Sequence, residues 1–400
     1  MYKGAIIMNH PLPRGWRELT LEEILSKEKH SIKRGPFGSD LKKDFFVKDG
    51  IKVFEQYNPI NNDPHWCRYR ITKEKYNQLS AFQCKAGDFL ISCSGTLGKI
   101  ILLPNNVEEG IINQALLKIR LNNDIIDNIY FLNLFQSRVF QNKIYGDARG
   151  GAIKNVASVD EIKKIEFILP PIDEQKRIAE VLSLCDKLIE NLTKLIEKKE
   201  IYKKGVMQRV LSGEVRFNGF TDEWETVSIS ELVDKNIIYI EKGKAISKDK
   251  IIEGDIPVIA GGKTPAYYHN ECTHDFPCIT ISASGTAGYV WFHDYKIWAS
   301  DCNILYTDNK NYNVKFLYYY LLNIQKIIYG LKTGGVQPHV YAKDIINLTI
   351  PNISIEEQNK IAELLTLIDK DIDNLKQLLH LRKLQKKGLM QKLLTGEVRI

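Results

Sequence analysis

No CxxC pair occurs in the 400 residues, and the cysteines number seven, an odd count. Cys67, Cys84, Cys93, Cys185, Cys272, Cys278 and Cys302 therefore read as reduced thiols and not as a secreted disulfide framework, so a cytoplasmic location is expected. No apolar run reaches membrane-spanning length. The opening MYKGAIIMNH has one lysine, a very short apolar stretch and no convincing cleavage site, so no signal peptide is expected. Histidines are few, at eight. The densest metal-like group, His269, Cys272, His274 and Cys278, lacks the paired knuckles of a zinc site, so no metal is expected.

Catalytic signatures are also missing. AGGKTPA (260–266) resembles the end of a phosphate-binding loop, but the glycine required five positions before Gly262 is Pro257. YNPIN (57–61) has neither the second proline nor the aromatic residue of an amino-methyltransferase motif. Glu197 and Lys199 give a nuclease-like Glu-x-Lys, yet they sit in a charge-rich run. No serine occupies a nucleophile elbow. The chain is expected to carry no active site of its own. Charge of one sign is not abundant either: 56 basic against 49 acidic residues leave +7, and the pI is near 8.8. That balance permits a nucleic-acid partner without requiring one.

What the sequence does have is repetition. At 400 residues it is too long for one ordinary core. Hydrophobic content of 44% and a mean hydropathy of −0.25 describe a soluble globular protein. Residues 174–217 align without a gap on 357–400, about half of the pairs being identical. Both copies open on EQ-x-x-IAE and close on KKG-x-MQ-x-x-L-[ST]-GEVR.

Each copy predicts a long helix. Ile178, Cys185 and Leu192 recur every seven residues, with Leu182, Ile189 and Ile196 between them. Ile361, Ile368 and Leu375 alternate in the same way with Leu365, Ile372 and Leu379. This is a coiled-coil seam. Its phase then meets Lys199 and Lys203, or Arg382 and Lys386, where the helix is expected to leave its first partner or open to another surface. Pro171 and Pro351 precede the helices, Asp173 and Ser354 are the expected N-caps, and Gly213 and Gly396 the C-terminal caps. Roughly 38 residues at 1.5 Å each give about 57 Å. The trailing GEVRF and GEVRI read as strand-like.

Fainter echoes lie between the helices. GWRELTLEEIL (15–25) pairs with EWETVSISELV (223–233), matching Trp16 with Trp224 and Glu23 with Glu231. DFLISCSGTLGKIILL (88–103) pairs with PCITISASGTAGYVWF (277–292), and GGAIKNVASVDEIKKIEFILPP (150–171) with GGVQPHVYAKDIINLTIPN (334–352). The order is globular unit, helix, globular unit, helix. If the seams pack together, the second helix most simply runs back antiparallel and gives a pseudo-symmetric dumbbell. The C-terminal residues would then lie near the Trp16 segment.

This organisation resembles the specificity subunit of type I restriction–modification systems. The two helical repeats carry the resemblance, and the doubled Trp-led openings and SGT-x-G segments support it. It covers essentially the whole chain. It implies an α+β fold, with two pseudo-symmetric target-recognition domains separated by a long antiparallel coiled-coil helix pair. The corresponding boundaries are 1–165 and 218–348 for the two domains, and 166–217 and 349–400 for the helical repeats. It also implies double-stranded DNA as partner, each domain reading one half of a split, asymmetric target. The helix pair would set the unread spacer and dock two modification subunits. Those subunits would carry S-adenosylmethionine and methylate adenine, and restriction subunits using ATP and Mg would join them. No cofactor is expected in this chain.

Candidate DNA contacts are the basic and hydroxyl residues of loop-like text. In the first unit these are Lys33, Arg34, Lys42, Lys43, Ser94, Thr96, Lys99, Arg149 and Lys154. In the second they are Lys242, Lys244, Lys248, Lys263, Tyr268, Ser284, Thr286, Lys332, Gln337 and His339. Lysine and arginine neutralise phosphates, and hydroxyls hydrogen-bond them. Each SGT-x-G also reads simply as a turn between strands, and any single hydroxyl there as part of that turn. Asn58, Gln56 and Arg70, with Tyr267, Tyr268, His269 and Gln337, are candidates for base edges; no base is assigned to any of them. Two other readings compete. One is an assembly scaffold whose units bind proteins. The other is a nucleotide-dependent enzyme built on AGGKTPA.

Overall fold

The computed structural model describes residues 12–145 and 158–400. These divide into two units: the described residues up to Asn191 together with Leu379–Ile400, and Leu192–Leu378. Each unit therefore takes part of both long helices, which run unbroken over Ile172–Leu211 and Ile355–Thr395.

The two units follow one plan. In the first, Arg17–Thr20 pairs antiparallel with Glu166–Leu169, so the Trp16 segment lies beside the strand that feeds the first long helix. A four-stranded antiparallel sheet has the order Ile32–Arg34, Leu116–Ile119, Phe89–Ser92, Ile100–Leu102. A five-stranded sheet has the order Phe46–Val47, Tyr69–Ile71, Ile51–Phe54, Gly110–Ile112, Gln83–Cys84, with Ile51–Phe54 and Gly110–Ile112 parallel. The second unit repeats this with Glu225–Ser228 on Thr349–Asn352. Its four-stranded sheet is Ile238–Lys242, Cys302–Thr307, Cys278–Ser282, Val290–His293. The third sheet shrinks to Tyr267–His269, Ile256–Ile259 and Trp298–Ala299, the last pairing again parallel.

Burial explains why the helices fold as they do. In the first unit Ile178, Leu182, Leu393 and Leu394 join Phe89, Phe131, Phe135 and Phe140 in one core. In the second, Met207, Val210, Leu211, Ile361 and Leu365 join Ile279, Leu305, Phe316 and Leu317. A helix face with that much apolar area is held by packing and not by propensity.

The seam lysines remain in the seam, contrary to the expectation that the helix departs there. Lys203 reaches Asp369 at 2.5 Å and Lys199 reaches Asp371 at 2.7 Å in the second unit. Lys386 reaches Asp186 at 2.6 Å in the first. In each unit the early part of one long helix faces the late part of the other, which makes the pairing antiparallel. Lys203 and Lys386 are repeat equivalents, as are Asp369 and Asp186, so the same ion pair is written twice. A cation at a seam position is accommodated because a carboxylate faces it across the seam.

The helix ends explain the repeated text. Gly213 (φ +76°) and Gly396 (φ +75°) take the left-handed conformation that closes each helix. The amide two residues beyond each glycine returns to the last turn, Val215 N to Arg209 O at 3.1 Å and Val398 N to Lys392 O at 3.2 Å. GEVR is therefore a hook and not the strand-like step expected. Its tip, Arg399, donates from Nε and Nη2 to the two oxygens of Glu174 at 3.0 and 2.7 Å. Trp16 Nε1 donates to the same carboxylate at 3.3 Å. In the second unit Arg216 clasps Glu357 equally, at 2.9 and 2.8 Å. The glutamine beside each glutamate fastens the globular part. Gln175 accepts from Asp127 N at 2.9 Å, and Gln358 from Asn313 N at 2.8 Å. Asp127 and Asn313 are themselves the N-caps of Asn128–Gln136 and Val314–Asn323. EQ is thus the joint between helix and globular body. Ser354 caps the second helix, Glu357 N donating to its Oγ at 3.3 Å. Asp173 is no cap but lies in the first turn, where its charge suits the helix dipole.

Candidate nucleic-acid interface

Both SGT-x-G segments form the same turn at the end of a central strand. Ser92 Oγ donates to Thr96 O at 2.6 Å and accepts from Lys99 N at 3.0 Å. Gly98 N donates to Ser92 O, and Gly288 N to Ser282 O, both at 2.8 Å. The glycines Gly95, Gly98, Gly285 and Gly288 all have φ between +63° and +84°, a conformation that other residues seldom adopt.

A second glycine brings basic residues to this turn. A Cβ on Gly35 would stand 1.8 Å from Asn113 O, so the backbones touch there. Asn113 N donates to Phe54 O, and Cys93 N to Ala115 O. Lys33, Arg34 and the SGTLG turn thereby gather around segment 113–115. The second unit does the same with Gly243, whose Cβ would stand 2.0 Å from Ser300 O. Lys244 N donates to Ala299 O, and Ala283 N to Asp301 O. The TGGVQPH loop joins this group as well. Thr333 and His339 exchange backbone bonds at 2.9 Å, and Val340 N donates to Ala283 O. Lys242, Lys244, Lys263, Lys332, Gln337 and His339 thus flank one turn.

Several of these cations are held over aromatic faces. Lys33 lies 5.6 Å from the Phe82 ring, Lys244 5.4 Å from Trp298, Lys263 5.7 Å from Tyr289, and Lys332 4.6 Å from Tyr329. Such contacts fix the stem and leave the ammonium at the surface. Lys42, Lys43, Lys99, Lys242, Lys248, Tyr268 and Gln337 are exposed, as are Ser94 and Thr96. Lys42, Lys43, Lys248 and Tyr268 stand on other elements, outside the bonds that gather the loops. Arg149 and Lys154 lie outside the described residues. Beside Lys33 and Arg34 opens a cleft of about 890 Å³ that also holds Phe37, Glu22, Glu23 and Asp160.

Some candidates are otherwise engaged. The Ser284 hydroxyl donates to the Asp301 carboxylate, and Thr286 Oγ1 donates to Gly261 O at 2.6 Å, so neither proton is free for a phosphate. Gly261, inside AGGKTPA, comes that close because it has no side chain; a Cβ there would stand 2.6 Å from Ser284 O. Asn58 is wholly buried, accepting from Glu55 N and donating to Asp63 O and Trp66 O at 2.8 to 2.9 Å. Arg70 binds Gly50 O and pairs with Glu108. His269 is 3% exposed, with Nδ1 3.1 Å from the Ile252 backbone. These three belong to the scaffold. Of the metal-like cluster, Cys278 lies in the core and His274 Nδ1 meets Thr273 Oγ1 at 2.9 Å. Among the described residues no group of three or more such side chains could hold a metal.

The Glu174–Arg399 and Glu357–Arg216 clasps are absent from the expectations drawn from the sequence. The signal was present: both members of each pair stand in text repeated letter for letter.

Comparison with known proteins agrees with this architecture. The type I restriction modification DNA specificity domain matches residues 13–200 and again 221–381. The type I restriction enzyme MjaVIII specificity subunit of Methanocaldococcus jannaschii is 25% identical over 333 residues, 73% of this chain and 75% of that protein. The type I restriction–modification S subunit of M. genitalium superposes with a TM-score of 0.60 at 19% identity, covering 95% of this chain and 96% of that one. A chain from work on complex assembly and conformational transition of the type I R-M system gives 0.60 at 16% identity, covering 97% and 100%. The doubled domain match coincides with the doubled reader-plus-helix plan, and the chain belongs to the specificity subunits of type I restriction–modification systems, with two target-recognition domains.

Proposed function

We propose that each unit reads one half of a split, asymmetric DNA sequence, and that the helix pair sets the unread spacer and docks two modification subunits. The observation that carries this reading is the duplicated loop cluster. Two SGT-x-G turns of the same geometry each gather lysines beside a glycine-lined backbone contact, while the side chains around them differ. A shared scaffold with unlike surfaces suits two readers of unlike half-sites. The lysines and arginines supply the phosphate term, which is salt-dependent and carries no sequence information.

Docking is supported by apolar side chains left at the surface of the long helices. Leu184, Leu188 and Leu195 on the first, and Leu367, Leu378, Leu381 and Leu384 on the second, are 37 to 60% exposed. Leu184, Leu188 and Leu195, spaced by four and seven, share a helix face, and solvent is a poor partner for the leucines of either helix. S-adenosylmethionine, ATP and Mg belong in this reading to the partner subunits, and catalysis with them. Among the described residues no helix is long and apolar enough to cross a membrane.

Expression with the modification partner, followed by methylome sequencing, tests the proposal. The expected result is adenine methylation at one bipartite, asymmetric sequence. Unchanged methylation despite a verified complex contradicts it. Binding of the complex to that DNA should weaken steeply with salt; replacing Lys244, Lys263 and Lys332 together should lower the affinity further and make the salt dependence shallower. Salt-independent association would instead favour a protein-binding scaffold.

A further inference from the structure

The two units differ most tellingly at the step just after the parallel strand. In the second unit Ile256–Ile259 leads into Ala260 and Gly261, which offer no polar side chain. In the first unit Ile51–Phe54 leads into Glu55 and Gln56. Glu55 Oε2 and Gln56 Oε1 are both removed from solvent, and neither has a hydrogen-bond partner among the described residues. Buried polar atoms are nearly always paired, because leaving one unpaired forfeits its hydration for nothing. Two stand on consecutive residues, in side chains that are partly exposed as wholes, where a donor approaching the turn would satisfy them.

Their position says which ligand. A Cβ on Gly95, inside the SGTLG turn, would stand 3.7 Å from Gln56 Oε1, so the pair lies against the turn that gathers the basic loops. The backbone that carries them is fixed in advance. Asn58 ties Glu55 N to Asp63 O and Trp66 O, and Tyr57 stacks on Trp66 at 4.2 Å. Burial holds the Glu55 carboxyl above its ordinary value, with the charge of Arg68 opposing the rise. Both unpaired atoms are acceptors, so the missing group is a donor. In the major groove the exocyclic amino groups of adenine and cytosine are the donors on base edges. A glutamine pairs with adenine there, and a carboxylate with the amino group of cytosine.

We propose that Glu55 and Gln56 are the base-reading pair of the first unit, their partly exposed side chains turning outward on DNA to accept hydrogen bonds from exocyclic amino groups of adenine or cytosine in its half-site. The inference rests on the reading of that unit as a DNA reader. It also makes the two half-sites differ for a stated reason, since Ala260 and Gly261 cannot repeat the contact.

The test is methylome sequencing of the full chain, expressed with its modification partner, as wild type, Gln56→Ala and Glu55→Gln. Each variant should relax one amino-bearing base position in one half-site, with discrimination there falling on the order of ten- to a hundred-fold. The other half-site and the spacer should stay as in wild type, and the thermal unfolding temperature should not move. If both variants methylate the wild-type set of sites with wild-type selectivity, the proposal is overturned. Lost methylation accompanied by a lowered unfolding temperature overturns it too, since the pair is then structural. Lost methylation with unchanged unfolding and retained salt-dependent binding to arbitrary DNA supports it. Failure of the underlying reading shows itself separately, as a wild-type complex that marks no bipartite sequence.

Discussion

His293 shows how far a side chain can be taken from its usual chemistry. It is wholly buried, with Nε2 2.8 Å from Thr280 Oγ1 and Nδ1 3.1 Å from Tyr295 Oη. Burial pushes its pKa down to about 3. The unfolded chain takes up this proton near pH 6.5, whereas the folded second unit refuses it until about pH 3. Stability from His293 is therefore complete above about pH 6.5 and declines as pH falls, by about 1.4 kcal/mol per unit at most. Urea unfolding of the second unit should lose about 2 kcal/mol between about pH 6.5 and pH 5 from this residue. His293→Gln should flatten that limb while lowering stability at neutral pH; an unchanged slope would assign the acid sensitivity elsewhere. Single residues were the hardest scale to read from sequence. Nothing in the text distinguishes His293 from an exposed histidine, or marks Lys52 and Lys118 as buried. Those lysines are 1% and 2% exposed, and they survive because Pro64 O and Gln83 O accept from them. Asn58 passed for a base reader because an amide that knits a turn has the same letter as one that reads adenine.

Elements were far more readable, because repetition supplies an internal control. Seam periodicity, the glycine caps and the paired ends were all visible in the text, and the helices span 40 and 41 residues against the roughly 38 expected. What the text could not give was the use of the repeated letters. GEVR looked like a strand because valine and arginine between turns often are one; in fact the hook exists to bring a guanidinium to a buried glutamate. The Arg399 guanidinium, more than Trp16, holds the Glu174 carboxyl below its ordinary range, against the opposing effect of burial. A depressed carboxylate contributes stability above its unfolded pKa and loses it as pH falls through the folded one. Arg399→Ala should therefore destabilise the first unit at neutral pH and weaken its acid transition. Arg399→Lys should rescue little, since an ammonium cannot reproduce the two parallel bonds. Thermal melts at neutral and acid pH read both effects. If the lysine variant behaves as wild type, the paired geometry has no special value. Gly396→Ala should act in the same direction: its backbone is at φ +75°, and the new Cβ would stand 2.8 Å from Pro13 Cγ.

At the scale of the whole chain, order along the sequence and membership in a unit part company. Leu379–Ile400 belongs with the described residues up to Asn191, and Leu393 and Leu394 complete that core at 0% and 5% exposure. A chain ended after Leu378 should therefore damage the unit written first and spare the one written last. Each lost core leucine costs about 2 to 5 kcal/mol. Hydrogen exchange would show faster opening in Phe89–Ser92 and Leu116–Ile119, with Cys278–Ser282 and Cys302–Thr307 near wild type. Equal loosening of both would deny the assignment. The same helices carry the proposed ruler, and length tests it without touching either reader. Inserting about four residues after Asn191 and after Leu378 adds about 6 Å of helix and shifts the seam in a way coiled coils absorb. At 3.4 Å per base pair the unread spacer should lengthen by roughly one or two base pairs. Both half-sites should keep their letters, because no loop around either SGT-x-G turn has changed. An active variant that methylates at the original spacing would show that something other than helix length measures the gap.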